Sequence, residues 1–270
     1  MFGSNVTTGT KFEWIKEFWR YKELFYFFVW RDIKIKYRQT VLGALWAIIQ
    51  PLFTMLVFTT FFGRFAKMPS DGIPYPIFSY VALVPWTYFS GAVSYSGNCL
   101  IGNSNLLTKV YFPRFAIPAS STLSGLIDFF IASILLFGLM IYYHVPLSWG
   151  LLLWPVLVIP LVLLALGLGM ILASLNVKYR DIKYTIPFGI QILLFITPII
   201  YPISILPEKY QKLVVLNPLT GIIEAFRSSV FPGKHMDFGS LSISIVASIV
   251  IFFVGLAYFR KTEKDFADVV

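Results

Sequence analysis

Three sets of side chains in this 270-residue sequence have types and spacings suited to chemistry. Arg31, Lys34 and Arg38 recur at i, i+3 and i+7, so on a helix they share a face, and their cationic heads pair well with phosphate oxygens. Anionic lipid headgroups at a membrane surface would attract the same three cations. Asp128 stands alone, because residues 115–177 hold no other charged side chain. A carboxylate in such surroundings needs a partner, and serves either as a structural hydrogen-bonding group or at a pore wall or gate. With no second buried acid or histidine beside it, a proton relay is not expected. Glu224 and Arg227, three residues apart, are placed for a local ion pair.

The same inventory argues against catalysis. An enzyme working inside an apolar chain needs a nucleophile, a base or a metal constellation, and the intramembrane region offers one acid and no histidine away from the surface. Cys99 is the only cysteine, which excludes an internal disulfide and disfavours a thiolate metal site; no catalytic or metal-binding residue is assigned. The phosphate loop G-x-x-x-x-G-K-[ST] is absent, and Gly167-Leu168-Gly169 lies in an apolar run with no following Lys. No cofactor is expected in this chain.

The elements that must position these groups are read from where charge is missing. Residues 39–63, 72–108, 115–177, 184–207 and 238–259 carry at most one charged side chain each. A bilayer core needs about 20 apolar residues in helix. The third stretch is long enough for two crossings and breaks at His144-Val145-Pro146, so the pattern predicts six transmembrane helices. They are expected near 41–63, 77–101, 116–143, 147–175, 185–203 and 239–259. The fold class is therefore an all-α membrane protein. Residues 1–38 form a cytoplasmic segment and 39–270 the membrane domain. With 57% hydrophobic and 13% charged residues there is no room for a separate soluble domain. The charged N-terminal segment is too long for the head of a signal peptide, so the first apolar run is read as a span. With both termini in the cytoplasm, sixteen of the 22 Lys and Arg residues fall inside and six outside, as the positive-inside rule requires. The net charge of +9 then needs no nucleic-acid partner.

Within this frame, several segments depart from plain spans and turns. Trp14, Phe18, Tyr21, Phe25 and Phe28 are spaced 4, 3, 4, 3 and form one stripe of an amphipathic helix suited to the membrane interface. Gln50-Pro51 interrupts the first span, because Pro removes a backbone hydrogen bond and Gln needs a partner in lipid. Pro198 and Pro202 are expected to break the outer end of the fifth span. Between spans two and three, Asn103 or Ser104 can cap a short helix that Pro113 stops. Its Leu106, Leu107, Val110 and Phe112, turned toward the cytoplasm, imply a covering partner. The uncharged run 213–223 is too short to cross, and Asn217-Pro218 splits it, which predicts a re-entrant outer hairpin between spans five and six.

The runs Arg31-Asp32-Ile33-Lys34-Ile35-Lys36-Tyr37-Arg38-Gln39, Tyr111-Phe112-Pro113-Arg114, Tyr179-Arg180-Asp181, Pro198-Ile199-Ile200-Tyr201-Pro202 and Asn217-Pro218-Leu219-Thr220-Gly221-Ile222-Ile223-Glu224-Ala225-Phe226-Arg227 occur in this order. Together they resemble the polysaccharide-exporting type-2 ABC transporter permeases, which export O-antigen, capsule or teichoic acid. Each run alone is weak, and the set covers nearly the whole chain. The resemblance implies a six-span half-transporter of the bacterial plasma (inner) membrane, working as a homodimer with two copies of a separate ABC ATPase that binds ATP and Mg. It implies a coupling helix over Leu106, Leu107, Lys109, Val110, Phe112, Pro113 and Arg114, docked on that ATPase. It implies that Arg31, Lys34 and Arg38 meet the pyrophosphate of a polyprenyl-linked polysaccharide, most simply O-antigen. Trp46, Gln50 and Asp128 are then candidates for the conduit, and Asn217, Pro218, Glu224 and Arg227 for the outer gate. A type-2 exporter of lipid or drug is the alternative within transport, and an integral membrane transferase the alternative outside it.

Overall fold

The computed structural model describes residues 21–38, 43–103, 112–179, 181–231, 233–263 and 266, and within them every regular element is helical. α1 (Lys22–Arg38) precedes α2 (Trp46–Phe58), which grows out of the 3-10 turn Gly43–Leu45 and continues as the π-helix Thr59–Phe65. α3 (Tyr75–Gly102) is followed by α4 (Ala116–Ser124) and α5 (Leu126–Tyr142), joined through Gly125. A 3-10 turn, Trp149–Leu153, leads into α6 (Trp154–Lys178), and α7 (Ile182–Ile196) follows. The chain closes with α8 (Glu208–Val215), α9 (Pro218–Val230) and α10 (Phe238–Thr262).

The boundaries follow local chemistry. Asp71 and Gly72 take positive φ, 53° and 77°, in the turn before α3, where Asp and Gly tolerate the left-handed region. Pro76 sits in the first turn of α3, where no backbone donor is needed. Asn217 caps α9 by accepting from the Leu219 amide at 3.1 Å, with Pro218 as the first helical residue. Asp237 caps α10 by accepting from Gly239 and Ser240 amides at 2.9 and 3.2 Å.

By length and composition, four helical stretches are able to cross a bilayer: Gly43–Phe65, Ala116–Tyr142, Trp149–Lys178 and Phe238–Thr262. The pair α8 and α9, bent by 100° at Asn217, is a fifth if taken as one span. That is fewer than the six expected. α3 has 28 residues and no charge, but Ser79, Ser90, Ser94, Ser96 and Asn98 lower its hydropathy. Its position explains the composition, since it is the central helix, packed against α2, α4, α5, α6, α7 and α9. A helix surrounded by protein gains more from close-packed small residues than from lipid-like ones. α7, expected as the fifth span over 185–203, has 15 residues and gives way to turns after Ile196, so its C-terminal end is broken as Pro198 and Pro202 foretold.

Two backbone approaches hold the centre together. A Cβ on Gly255 of α10 would lie 2.3 Å from the carbonyl oxygen of Gly167 on α6, so the two helices cross backbone against backbone. A Cβ on Gly169 would lie 2.3 Å from the Ser96 hydroxyl of α3. The Gly167-Leu168-Gly169 run thus docks α6 onto α10 and α3 together, a small-residue packing typical of helices in membranes. One apolar cluster fills the middle of the bundle around Phe78, Tyr80, Phe129, Trp154 and Phe226, and a second joins α1, α4, α6 and α10 at one end.

Candidate functional site

At the α1 end, sequence and structure place the charges differently. Lys36 and Tyr37 both donate to the Asp128 carboxylate, so the lone acid of α5 is the anchor of α1. Arg31 donates to Asp32 at 2.7 and 3.0 Å, and Asp32 also accepts from the hydroxyls of Ser120 at 2.9 Å and Ser121 at 3.4 Å. Lys34 lies over the Trp30 ring at 5.4 Å and is exposed, as is Arg38. The expected triad therefore divides: Arg31 is held against α4, while Lys34 and Arg38 face outward. Lys36, which no local spacing singles out, is the cation that reaches Asp128, 92 positions away.

The aromatic stripe of α1 also differs from expectation. Phe25 and Phe28 are buried against the protein, and the exposed aromatics are Tyr26, Phe27 and Trp30 on the other side. Phe28 meets Phe112 edge-on at 5.3 Å. Phe112, expected to face a docking partner, is instead turned inward and buried, because Phe28 and the apolar cluster that also holds Phe25 and Phe259 offer it a niche. Pro113 accepts the Ala116 amide at 2.9 Å and directs the chain into α4, and Arg114 donates to the Glu263 carbonyl beside the end of α10. Leu106, Leu107, Lys109, Val110, Trp14 and Phe18 lie outside the described residues.

α2 and α7 are the most loosely covered long helices. Trp46, Gln50, Phe53 and Val57 form an exposed strip on α2, with Trp46 53% exposed. On α7 only Ile186 is buried, and Tyr184, Phe188, Gln191 and Phe195 are exposed. Both strips thus mix aromatic rings with one amide, Gln50 on α2 and Gln191 on α7, in helices of mainly apolar side chains. Gln191 carries no sequence signal, because a single Gln without a neighbouring Pro gives no pattern.

At the α9 end, Arg227 is fully buried, with no exposed surface. It donates to Glu224 at 2.6 Å and to the Ile199 carbonyl at 2.7 Å, and its guanidinium lies 3.8 Å from the centre of the Phe78 ring. The i, i+3 ion pair expected from spacing is present. Lys234 extends it, reaching Glu224 at 3.1 Å and Asp71 at 3.3 Å, and Ser204 donates to Asp71 at 2.8 Å. The Asn217 side-chain amide donates to the Thr197 hydroxyl at 2.9 Å. Two of the sequence runs therefore touch: the proline-rich turn after α7 receives hydrogen bonds from Asn217 and Arg227 at opposite ends of α9. Among the described residues no group of three His, Cys, Asp or Glu is placed to hold a metal.

A family model described as ABC-2 type transporter matches residues 23–231, which runs from α1 through the end of α9. The chain belongs to the ABC-2 type transporter family. This ABC-2 chain is similar to the O-antigen export system permease protein RfbA of Klebsiella pneumoniae, 30% identical over 244 residues covering 89% of this chain and 92% of that one. It is similar to the protein of the same name from Myxococcus xanthus, 28% identical over 257 residues, with 94% and 98% covered. It is also similar to the polysialic acid transport protein KpsM of Escherichia coli, 27% identical over 246 residues, with 87% and 91% covered. Arg227 with Glu224, Ile199 and Phe78, and the two exposed amide-bearing helices, fall inside the matched region, whereas Lys234 and the Arg114 contact to Glu263 reach beyond it.

Proposed function

We propose that this chain is the membrane subunit of an ATP-driven exporter that carries a polyprenyl-pyrophosphate-linked polysaccharide, O-antigen in the first instance, from the cytoplasm across the inner membrane. The observation that carries this reading is the full-length similarity to permeases named for O-antigen and polysialic acid export, joined to the absence of a phosphate loop in this sequence. Six spans with both termini cytoplasmic are counted by adding α3 and α7 to the four long apolar stretches. α8 and α9 then form a re-entrant hairpin at the outer surface, and the charge distribution supports that orientation.

Two copies associate so that the exposed strips of α2 and α7 enclose the conduit. A sugar chain needs ring faces to slide on and hydrogen-bonding groups between them, and Trp46, Gln50, Phe53, Phe188 and Gln191 supply that mixture. In lipid, by contrast, Gln50 and Gln191 would leave their amides without partners. The segment around Leu106, Leu107, Lys109 and Val110 docks on a separate ATPase, and Phe112 and Arg114 connect it to α1 and the end of α10. Closure of the ATPase pair can then move α1 and the end of α10 as one. Deleting the gene should abolish surface polysaccharide while lipid-linked glycan accumulates inside, and tagged permease should co-purify an ATPase. Unaltered surface polysaccharide in the deletion strain would overturn the proposal.

A further inference from the structure

A cavity of about 700 Å³ lies between α1, α3 and α4, lined among others by Arg31, Lys36, Ser94, Tyr95 and Ser121. Its size is within the range of small-molecule sites, roughly 300–1,000 Å³. It is too large for a single ion. The nature of its walls decides what it suits. Both cations facing it are already matched: Arg31 is bonded to Asp32, and Lys36 to Asp128. Asp32 is further held by two serine hydroxyls. A phosphate entering here would have to compete with carboxylates fixed in place, and would leave them unpaired in a half-buried site. A neutral ligand meets no such penalty.

The remaining groups are those of a carbohydrate site. Tyr95 is 56% exposed, and its ring, with the Lys36 ammonium 5.1 Å from its centre, gives a flat apolar platform with a hydroxyl at its tip. The Ser94 hydroxyl next to it and the Asn103 side-chain carbonyl oxygen, about two helical turns further along α3, line the same cavity, and neither engages a partner among the described residues. By contrast, the Asn98 and Asn103 amide nitrogens are tied back to the Ser94 and Cys99 carbonyls at 2.8 Å, which fixes their orientation. An exposed ring in a cavity that also presents uncommitted hydrogen-bonding groups, with the nearby charges cancelled, matches the alternating apolar and hydroxyl faces of a sugar chain.

We infer that this cavity binds one or a few neutral sugar residues of the exported chain, on the α1 side of the conduit and separate from any contact with the phosphates. This rests on the proposed export function and adds the part of the substrate recognised at this point.

The test uses the permease–ATPase complex in lipid nanodiscs, with Cys99→Ser and Ser94→Cys introduced so that position 94 reports by thiol labelling. Methyl glucoside, methyl N-acetylglucosaminide, glucuronate and inorganic diphosphate are the probes. One or both neutral glycosides should slow labelling at least about fivefold, diphosphate should not, and Tyr95→Ala should remove the protection while Tyr95→Phe keeps most of it. Saturation-transfer NMR on the Ser94-intact complex serves as the second readout, in case the cysteine itself weakens binding. Protection by diphosphate alone, or no glycoside contact in either assay with the complex intact, overturns the inference. The export reading is tested apart from it: loss of surface polysaccharide on gene deletion without glycoside binding removes only the pocket, whereas unaltered surface polysaccharide removes the export function itself.

Discussion

Lys36 of α1 and Asp128 of α5 are joined by an ion pair across 92 residues of sequence, and Tyr37 donates to the same carboxylate. The pair fixes a helix rich in exposed aromatics to a span that otherwise carries no charge. It also explains how a lone acid is tolerated in so apolar a stretch: the carboxylate is neutralised by a cation that reaches it from the helix lying across its end.

Removing both partners should therefore cost less than the two single removals added together. Lys36→Met and Asp128→Asn are each expected to lower stability by about 1.5–3 kcal/mol, the range for hydrogen bonds to charged groups. The double variant should be less destabilised than the sum, with a coupling of about 0.5–3 kcal/mol. Thermal unfolding of the four proteins in one detergent checks this. Strict additivity would mean that the two side chains do not interact.

The Gly167–Gly255 crossing predicts a steep steric series. Gly255→Ala places its Cβ against backbone that cannot turn aside, and overpacking of this kind costs about 1–3 kcal/mol. Gly255→Leu should prevent α6 and α10 from meeting and abolish accumulation of folded permease. Yield and monodispersity on size exclusion report the outcome, and a Leu variant that behaves like the parent would contradict the packing.

Coupling residues should separate into two phenotypes. Val110→Asp should leave the permease folded but weaken its association with the ATPase. Phe112→Asp should instead destabilise the permease itself by several kcal/mol, since it buries a carboxylate beside Phe28 in an apolar cluster. Affinity pull-down together with unfolding temperature distinguishes them. Equal stability with equal loss of ATPase from both variants would place Phe112 on the docking surface after all.

Glu224 stands between two cations, buried Arg227 and half-buried Lys234. Glu224→Gln should destabilise by about 3–5 kcal/mol, because it strands Arg227 in an apolar site. Arg227→Lys should not restore the parent, since one ammonium cannot reach Glu224 and the Ile199 carbonyl with a guanidinium's fork geometry. Unfolding temperatures of both variants test the point.

At the start of α10, the Ser240 hydroxyl, then the Ser240 and Gly239 amides, hold the Asp237 carboxyl below its ordinary range. A depressed folded value means that the cap stabilises the protein above the usual carboxylate range and loses that effect as pH falls through the lowered value. Asp237→Asn should accordingly show a smaller drop in unfolding temperature between neutral and acid pH than the parent. An identical drop would show that the cap does not contribute.

How much of this was legible in sequence depended on whether a signal was local. Charge-free stretches gave away the long apolar helices, Asn217-Pro218 the break between α8 and α9, and three-residue spacing the Glu224–Arg227 pair. α3 read as one span among six, although its serines and Asn98 mark it as the helix the others surround. Lys36 was invisible beside Arg31, Lys34 and Arg38, because its partner lies on another helix. The inward turn of Phe112 was equally hidden, since an apolar side chain in a polar loop reads the same whether it docks on a partner or on its own chain. Periodicity locates faces, and only tertiary contact decides what each face meets.

The most direct measurement reconstitutes the permease with its ATPase into sealed vesicles, with lipid-linked polysaccharide supplied on the ATPase side. The glycan should appear in the lumen with ATP and not without it, and transport should be lost when Gln50 and Gln191 are both replaced by Leu in a complex that still hydrolyses ATP. Hydrolysis without any movement of glycan in the parent complex, while a small lipid or drug crosses in its place, would contradict the export function.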